Sequence, residues 1–197
     1  MTSEMQLWKR LREGDRIAFE EIFRRYYQDL YRFAVNFCGS SQLAEDQIQE
    51  LFLKIWQRRE SLADDVQAIR PYLWISLRRE LIDEKRRVTR ILTHPDHSAD
   101  EFSLSIEEFI IRSEGKELQK RHLERAMEIL TPRQQEVLFL KYHEGMTYDE
   151  IEEIMSISYQ AARNYLSQAL RTIREEVGSS NDTEQVLTLL LLLICLP

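Results

Sequence analysis

The sequence has few of the residues that form tight turns and cross-links, with five glycines, four prolines and two cysteines in 197 residues. It also lacks the alternation of apolar and polar residues that marks a β-strand, so we predict an all-α protein. Cys38 and Cys195 do not have the spacing of a metal-ligand pair, and thiols so far apart indicate a reducing compartment. The first residues contain no apolar core of signal-peptide length. We therefore expect a cytoplasmic protein.

Signatures of catalysis are absent as well. The four histidines are scattered, and there is no metal-ligand cluster, glycine-rich phosphate loop or nucleophile motif. We therefore expect no enzymatic activity and no cofactor. The net charge of −7 argues against a protein that coats nucleic acid indiscriminately, although a local basic face can still bind DNA.

Residues 130–177 read as a helix-turn-helix. Thr131 and Thr147 each begin a capping box, and Gly145 is placed to end the helix before the second box. A polar break at residues 156–158 precedes a third helix. The apolar positions of that helix recur at helical spacing: Ala162, Tyr165, Leu166, Ala169, Ile173 and Val177.

The other face of this third helix carries forked hydrogen-bonding groups of the kind that contact base edges and phosphates. We assign these residues to DNA binding: Tyr159, Gln160, Arg163, Asn164, Ser167, Arg171 and Arg174.

Three further amphipathic helices are predicted upstream, over about residues 17–37, 42–58 and 68–87, because apolar residues recur there every three or four positions. The last of them is basic, since residues 70–90 contain seven Lys or Arg against three Asp or Glu. Tyr72 and Trp74 lie among its arginines. Such a mixture suits unpaired nucleic acid, where rings stack on bases. Alternatively, one or both rings belong to the core.

Residues 93–108 contain five acidic residues and no Lys or Arg, and we interpret them as a solvated linker that includes His94 and His97. The chain then divides into a helical domain over residues 1–90, a linker over 91–112, a helix-turn-helix domain over 113–177 and an apolar tail over 178–197. The apolar run Val186–Pro197 is shorter than the roughly 20 residues that span a bilayer. It can pack on the protein, dock on a partner or touch a membrane surface.

Three stretches occur in an order and at a spacing typical of one family. They are Leu43–Asp46 with Gln49–Trp56, Pro71–Trp74 with Asp83 and Arg86–Arg87, and Leu130–Val137 with Tyr148–Ile151. Together they resemble an extracytoplasmic-function (ECF) sigma factor, a minimal member of the bacterial sigma-70 family. The resemblance implies a non-catalytic factor that binds RNA polymerase core and promoter DNA, and that an anti-sigma factor restrains.

The resemblance also implies roles for particular residues. Those implied to bind polymerase are Asp46, Gln49, Glu50 and Lys54, with Phe52 or Trp56 as apolar anchors. Those implied to hold and open the −10 element are Arg70, Tyr72, Trp74, Arg78, Arg79, Arg86 and Arg87. The helix-turn-helix would read the −35 element. The loop over residues 59–67 is where the family keeps a pocket for a flipped base, and no residue is assigned to that pocket.

Two departures and two alternatives accompany this resemblance. Arg79 stands where many relatives carry Asn, and Ala161–Ala162 replaces a common Thr-Val pair.

A response-regulator output domain would need an α/β phosphoacceptor domain upstream, and the first ninety residues show no strands. An adaptor or anti-sigma-like protein that binds polymerase without reading DNA is compatible with the acidic charge and the apolar tail.

Overall fold

The computed structural model describes residues 4–63, 68–92, 102–104 and 125–177, and every regular element among them is helical. The chain divides into two units, Met1–Ala99 and Asp100–Pro197. The N-terminal unit contains α1 (Glu4–Arg12), α2 (Arg16–Cys38), α3 (Ser41–Gln57), a 3₁₀ turn (Arg59–Ser61) and α4 (Ile69–Leu92). In the C-terminal unit, residues 125–129 are helical. They precede α5 (Pro132–Leu138) with its π turn (Phe139–His143), α6 (Tyr148–Met155) and α7 (Tyr159–Val177).

The central helix of the N-terminal unit is α2, which packs against α1, α3 and α4. The Asp15 carboxylate caps α2 by accepting the N–H groups of Ile17 and Ala18 at 2.8 and 3.3 Å. A side-chain hydrogen bond from Arg10 holds the pKa of Asp15 below its usual value. Gly39, in the left-handed region at φ 66°, ends the helix. The predicted helices over 17–37 and 42–58 are thus confirmed to within one residue at each end.

Helix α1 was not predicted, yet it closes one side of this unit. Leu7, Trp8 and Leu11 are buried. The Trp8 ring meets Tyr72 edge to face at 5.0 Å, and its Nε1 donates to the Ala63 carbonyl at 3.0 Å. The helix is only nine residues long, which leaves too few turns for its periodicity to stand out in the sequence.

Both predicted capping boxes are present in the C-terminal unit. The Thr131 hydroxyl accepts the Gln134 N–H while the Gln134 side chain accepts the Thr131 N–H, and Thr147 and Glu150 repeat the arrangement. Gly145 at φ 63° follows the π turn, as the predicted helix stop requires. Ser156 ends α6 in the left-handed conformation at φ 53°, so the predicted break before α7 is real.

One expectation for the C-terminal unit was wrong. Phe102 and Leu104 were placed in a solvated linker, but they are buried in this unit at 2% and 5% exposure. In residues 125–129, Ala126 and Met127 are buried, while Ile129 is 52% exposed. The apolar tail, His94 and His97 lie outside the described residues.

Candidate nucleic-acid interface

Helix α7 has two sharply different faces. Its apolar face is buried through Ala162, Leu166, Ala169 and Ile173, which lock the helix onto α5 and α6. Its N-terminus is capped by Ser158, whose hydroxyl accepts the Ala161 N–H at 3.2 Å. The polar residues assigned to DNA binding on α7 are all exposed: Tyr159, Gln160, Arg163, Asn164, Ser167, Arg171 and Arg174.

Several of these exposed side chains are held in place by neighbours. Gln160 Nε2 donates to Asn164 Oδ1 at 3.1 Å. The Tyr159 ring lies 5.4 Å from the ring of Tyr148 in α6. The Lys141 ammonium lies 4.9 Å from the centre of the same Tyr148 ring. Lys141 was not predicted as part of the site, because it lies in the π turn and outside the helix periodicity. A pre-positioned polar face costs less side-chain entropy when it binds a ligand.

Helix α4 differs from α7, because part of its predicted interface is buried in the core of the N-terminal unit. Trp74 is 0% exposed, and its ring packs edge to face against Tyr26 at 6.3 Å. Trp74 is therefore a core residue and cannot stack on a base in this structure. Arg78 is only 8% exposed. The Arg70 guanidinium lies 5.2 Å from the centre of the Trp74 ring, which holds it over the core.

Tyr72 lies on another side of α4 and is half-buried, with Trp8 of α1 against its ring. Burial raises the pKa of Tyr72, so its hydroxyl stays protonated at neutral pH. The Tyr72 side chain is nevertheless partly exposed. Of the two predicted aromatics, only Tyr72 can therefore contact a ligand without unfolding.

Three further arginines of α4 are exposed, namely Arg79, Arg86 and Arg87. Arg87 donates two hydrogen bonds to the Glu84 carboxylate at 2.6 and 2.8 Å, which lowers the pKa of Glu84. Arg86 lies 3.9 Å from Asp83. Such exposed pairs along one helix contribute little to stability and can be exchanged for phosphate contacts.

The outer face of α3 carries Asp46, Gln49 and Glu50, all exposed, and the half-buried Lys54. Lys54 Nζ lies 3.4 Å from Glu50 and 3.3 Å from Glu80 of α4, which ties the two helices together. Desolvation raises the pKa of Glu80, and Lys54 counteracts it.

One of the two predicted apolar anchors on α3, Phe52, needs correction, whereas Trp56 stays a prediction. Phe52 is 2% exposed and packs against the rings of Phe19 and Phe23 at 6.0 and 4.8 Å, so it is part of the core. Trp56 is half-buried, with the Arg59 guanidinium 4.9 Å from its ring centre. Leu43 and Leu53, at 46% and 48% exposure, were not predicted to be functional. They stand on the same face as Asp46 and Glu50, opposite the buried stripe.

The loop after α3 is described only in part. Arg59 in the 3₁₀ turn donates to the Trp56 carbonyl at 2.9 Å, while residues 64–67 lie outside the described residues. Within the described ranges, no group of His, Cys, Asp or Glu side chains is arranged to hold a metal ion. No helix in the same part of the chain is long and apolar enough to cross a membrane.

Comparison with known families assigns both units. The Sigma-70 region 2 family matches residues 22–91, which cover most of α2, all of α3 and nearly all of α4. The Sigma-70 region 4 family matches residues 120–173, which cover α5, α6 and most of α7.

Curated relatives and solved structures agree with this assignment. ECF RNA polymerase sigma factor SigM of Bacillus subtilis is 26% identical over 159 residues, 80% of this chain and 94% of the relative. ECF RNA polymerase sigma factor SigL of Mycobacterium tuberculosis is 25% identical over 181 residues, 84% of this chain and 96% of the relative.

Two solved structures share the fold. CnrH, solved in complex with the cytosolic domain of CnrY, has a TM-score of 0.62 at 15% identity, over 90% of this chain and 99% of that one. The sigma factor RpoE of Bartonella quintana, in complex with the anti-sigma factor NepR, has a TM-score of 0.58 at 20% identity, over 83% and 98%.

Proposed function

We propose a division of work along this chain, which belongs to the ECF sigma factors of the sigma-70 family. As a sigma factor it directs promoter-specific transcription initiation. Its proposed partners are RNA polymerase core, promoter DNA and an anti-sigma factor, and its proposed place of action is the cytoplasm. Catalysis belongs to the polymerase in this scheme, and the chain contributes recognition.

The −35 element is read by the exposed face of α7. The observation that carries this proposal is the separation of the two faces, since every polar residue assigned to DNA is exposed while the apolar residues on the other side anchor the helix. Arg163 and Asn164 stand near the N-terminal half of α7, the part of a recognition helix that contacts base edges. Arg171 and Arg174, nearer the C-terminus, suit phosphate contacts.

The −10 element is held by the exposed part of α4. Arg79, Arg86 and Arg87 supply phosphate contacts, and the exposed part of Tyr72 supplies an aromatic surface for an unpaired base. Trp74 and Arg78 serve by packing, because both are buried. Leaving the stack costs a base a few kcal/mol, and phosphate contacts from the arginines offset that cost.

The outer face of α3 docks on polymerase core. Leu43 and Leu53 take the anchoring role expected of Phe52, since an exposed apolar side chain within a polar rim is the pattern of a protein interface. Replacing Leu53 with Asp should weaken binding to core. Ile17→Asp is the matched control, because Ile17 is 68% exposed and belongs to α2 and not to α3.

The decisive experiment adds the purified protein to bacterial core polymerase and a promoter library, and maps the new transcription start sites. A sigma factor produces starts downstream of promoters that share two separated sequence elements. A protein that binds core and produces no new start supports the alternative of an adaptor that does not read DNA.

A further inference from the structure

Helix α1 lies before the segment that matches the Sigma-70 region 2 family, which begins at residue 22. The family match therefore assigns no role to α1. This helix packs against α2, α4 and the 3₁₀ turn. Two of its side chains, Glu4 and Trp8, also bond to α4 or to the chain ahead of it. Both contacts lie near Tyr72, the aromatic residue of α4 that is proposed to meet an unpaired base.

Trp8 holds the Tyr72 ring from one side. The two rings meet edge to face with 5.0 Å between their centres, and Trp8 is 2% exposed. Its Nε1–H donates to the Ala63 carbonyl at 3.0 Å, which fixes the orientation of the indole. Because the indole is fixed, the Tyr72 ring against it has fewer arrangements to lose when a ligand stacks on its exposed part.

Glu4 anchors the first residue of α4. Its Oε2 accepts the Ile69 backbone N–H at 3.2 Å. Its Oε1 accepts the hydroxyl of Tyr26, and Arg25 lies 4.0 Å from the same oxygen. A carboxylate that accepts an N–H in the first turn of a helix stabilises that turn as an N-cap does. Glu4 therefore ties the start of α4 to both α1 and α2.

The two contacts act on the same helical turn. Tyr72 follows Ile69 by three positions, so both residues belong to the first turn of α4. One contact restrains the backbone of this turn and the other restrains its aromatic side chain. Stacking of an unpaired base depends on where the ring is held. Helix α1 thus determines the placement of the aromatic end of α4.

We infer that α1 positions the aromatic end of the −10 surface, with Trp8 acting through Tyr72 and Glu4 acting through the first turn of α4. The inference rests on the proposed function, since it needs Tyr72 to meet an unpaired base. It differs from a role in folding alone, because Trp8 then matters for unpaired DNA only while the Tyr72 ring is present. Docking of α3 on polymerase core does not depend on either contact.

The test uses the full chain assembled with core polymerase. The probe is a fluorescent single-stranded oligonucleotide that carries the −10 element of a promoter found in the start-site experiment. Trp8→Leu, Tyr72→Leu and the double variant form a mutant cycle. The dissociation constants for the oligonucleotide and for core polymerase are both measured. Phe37→Leu is the matched control, because Phe37 is another buried aromatic residue of this unit and its ring packs on Phe33 at 6.0 Å.

The expected result is a loss of oligonucleotide binding that depends on Tyr72. Tyr72→Leu should weaken binding about 5- to 150-fold, the range for one base stacked on an aromatic ring. Trp8→Leu should weaken it at least about threefold and change the affinity for core by less than about twofold. In the Tyr72→Leu background, Trp8→Leu should have no further effect, because the ring that it positions is gone. Phe37→Leu should keep the oligonucleotide affinity of the unaltered protein.

Glu4→Ala provides a second variant that tests the inference even if Trp8→Leu folds poorly. The Glu4 side chain is 39% exposed, so its loss leaves the core of the unit intact. This variant should weaken oligonucleotide binding about twofold or more and leave core binding unchanged. Its control is Glu13→Ala, which removes an exposed carboxylate of the same helix that lies 4.0 Å from Lys9. The control should bind the oligonucleotide normally.

Three outcomes overturn the inference. The first is an equal loss of oligonucleotide and core binding in Trp8→Leu. The second is a loss that persists undiminished in the Tyr72→Leu background, or a Tyr72→Leu variant that binds normally. The third is normal oligonucleotide binding in both Trp8→Leu and Glu4→Ala. In each case the proposed function still holds if the unaltered protein initiates transcription at promoters, and it fails, with the inference, if the unaltered protein initiates at none.

Discussion

Helices α4 and α7 are both predicted to contact DNA, but their polar and apolar residues are distributed differently around the helix. In α7 the apolar and polar residues separate onto opposite faces, so the recognition residues need no compromise with the core. In α4 the basic and aromatic residues are distributed all around the helix, and the core takes Trp74 and Arg78. Composition alone therefore overstates how much of the basic and aromatic surface of α4 is exposed, whereas the periodicity of α7 predicts its exposed face correctly.

The largest expected effect comes from replacing an aromatic residue in each helix. Trp74→Ala opens a cavity in the N-terminal unit and should lower its free energy of unfolding by about 3–5 kcal/mol. Tyr159→Ala is the counterpart on α7, where the ring is 41% exposed, and its effect on stability should be much smaller. Urea denaturation of the two variants measures the difference. Equal losses of stability would remove the contrast between the helices.

A smaller effect is expected when the exposed face of α7 is altered. Arg163→Ala should reduce discrimination between intact and substituted −35 elements by about 1–3 kcal/mol, the contribution of a forked contact to a base. Its free energy of unfolding should change by less than about 0.5 kcal/mol, because the side chain is exposed. Competitive transcription from paired promoters measures the discrimination.

The control for this variant is Arg24→Ala, which removes an exposed arginine of α2 that lies 3.7 Å from Glu20. It should leave −35 discrimination unchanged. If Arg163→Ala weakened binding to core polymerase as much as it weakened discrimination, α7 would not be a dedicated DNA reader.

Helix α6 packs against α7, and it can be destabilised at its capping box. Thr147→Ala removes the hydroxyl that accepts the Glu150 N–H at 3.2 Å, and it should cost about 1 kcal/mol of stability in the C-terminal unit. Thr147→Ser keeps a hydroxyl at the same place and should retain most of that stability. Thermal unfolding of both variants followed by circular dichroism is the measurement. Identical melting curves would show that α6 does not depend on its cap.

The smallest expected effect concerns the carboxylate that joins α4 to α3. Desolvation raises the pKa of Glu80 above its usual 4.5, so the folded state holds this proton more tightly than the unfolded state does. The contribution of Glu80 to stability is therefore greatest below pH 4.5. It falls as the pH rises from there through the folded-state pKa.

Glu80→Gln should flatten that part of the stability profile and change the free energy of unfolding at neutral pH by less than about 1 kcal/mol, since Lys54 keeps its contact with Glu50. Urea titrations across the acidic range test this prediction. A variant that still lost stability over the same interval would assign the pH dependence to another carboxylate.

Much of the local structure could be predicted because it depends on near neighbours. The bounds of α2 and α3 follow from caps and regular apolar spacing, and the boxes at Thr131 and Thr147 follow from residues three positions apart. The exposed face of α7 followed from the same periodicity. In each case the residues that decide the structure lie within one or two helical turns of each other.

The errors share a different cause. Phe52 and Trp74 lie near the edge of the apolar stripe of their helices. Whether each ring is buried or exposed depends on how α2 packs against it, through Phe23 and Tyr26. Leu43 and Leu53 were given no role, and the structure leaves both exposed on α3. Phe102–Leu104 looked like linker because acidic residues surround this segment. Gln135, which accepts the Leu104 N–H, is 31 positions away in the chain.

By itself, the sequence determined that this protein is helical and where most of its described helices begin and end, and it placed the polar face of α7, because caps and periodicity act locally. Its three motifs were also sufficient to indicate the family. Only the tertiary structure decided which residues of α4 stay exposed, that Phe52 is part of the core, and that Phe102 and Leu104 are buried in the C-terminal unit. Those outcomes depend on contacts between segments distant in the chain, where burial of one side chain requires a matching surface elsewhere.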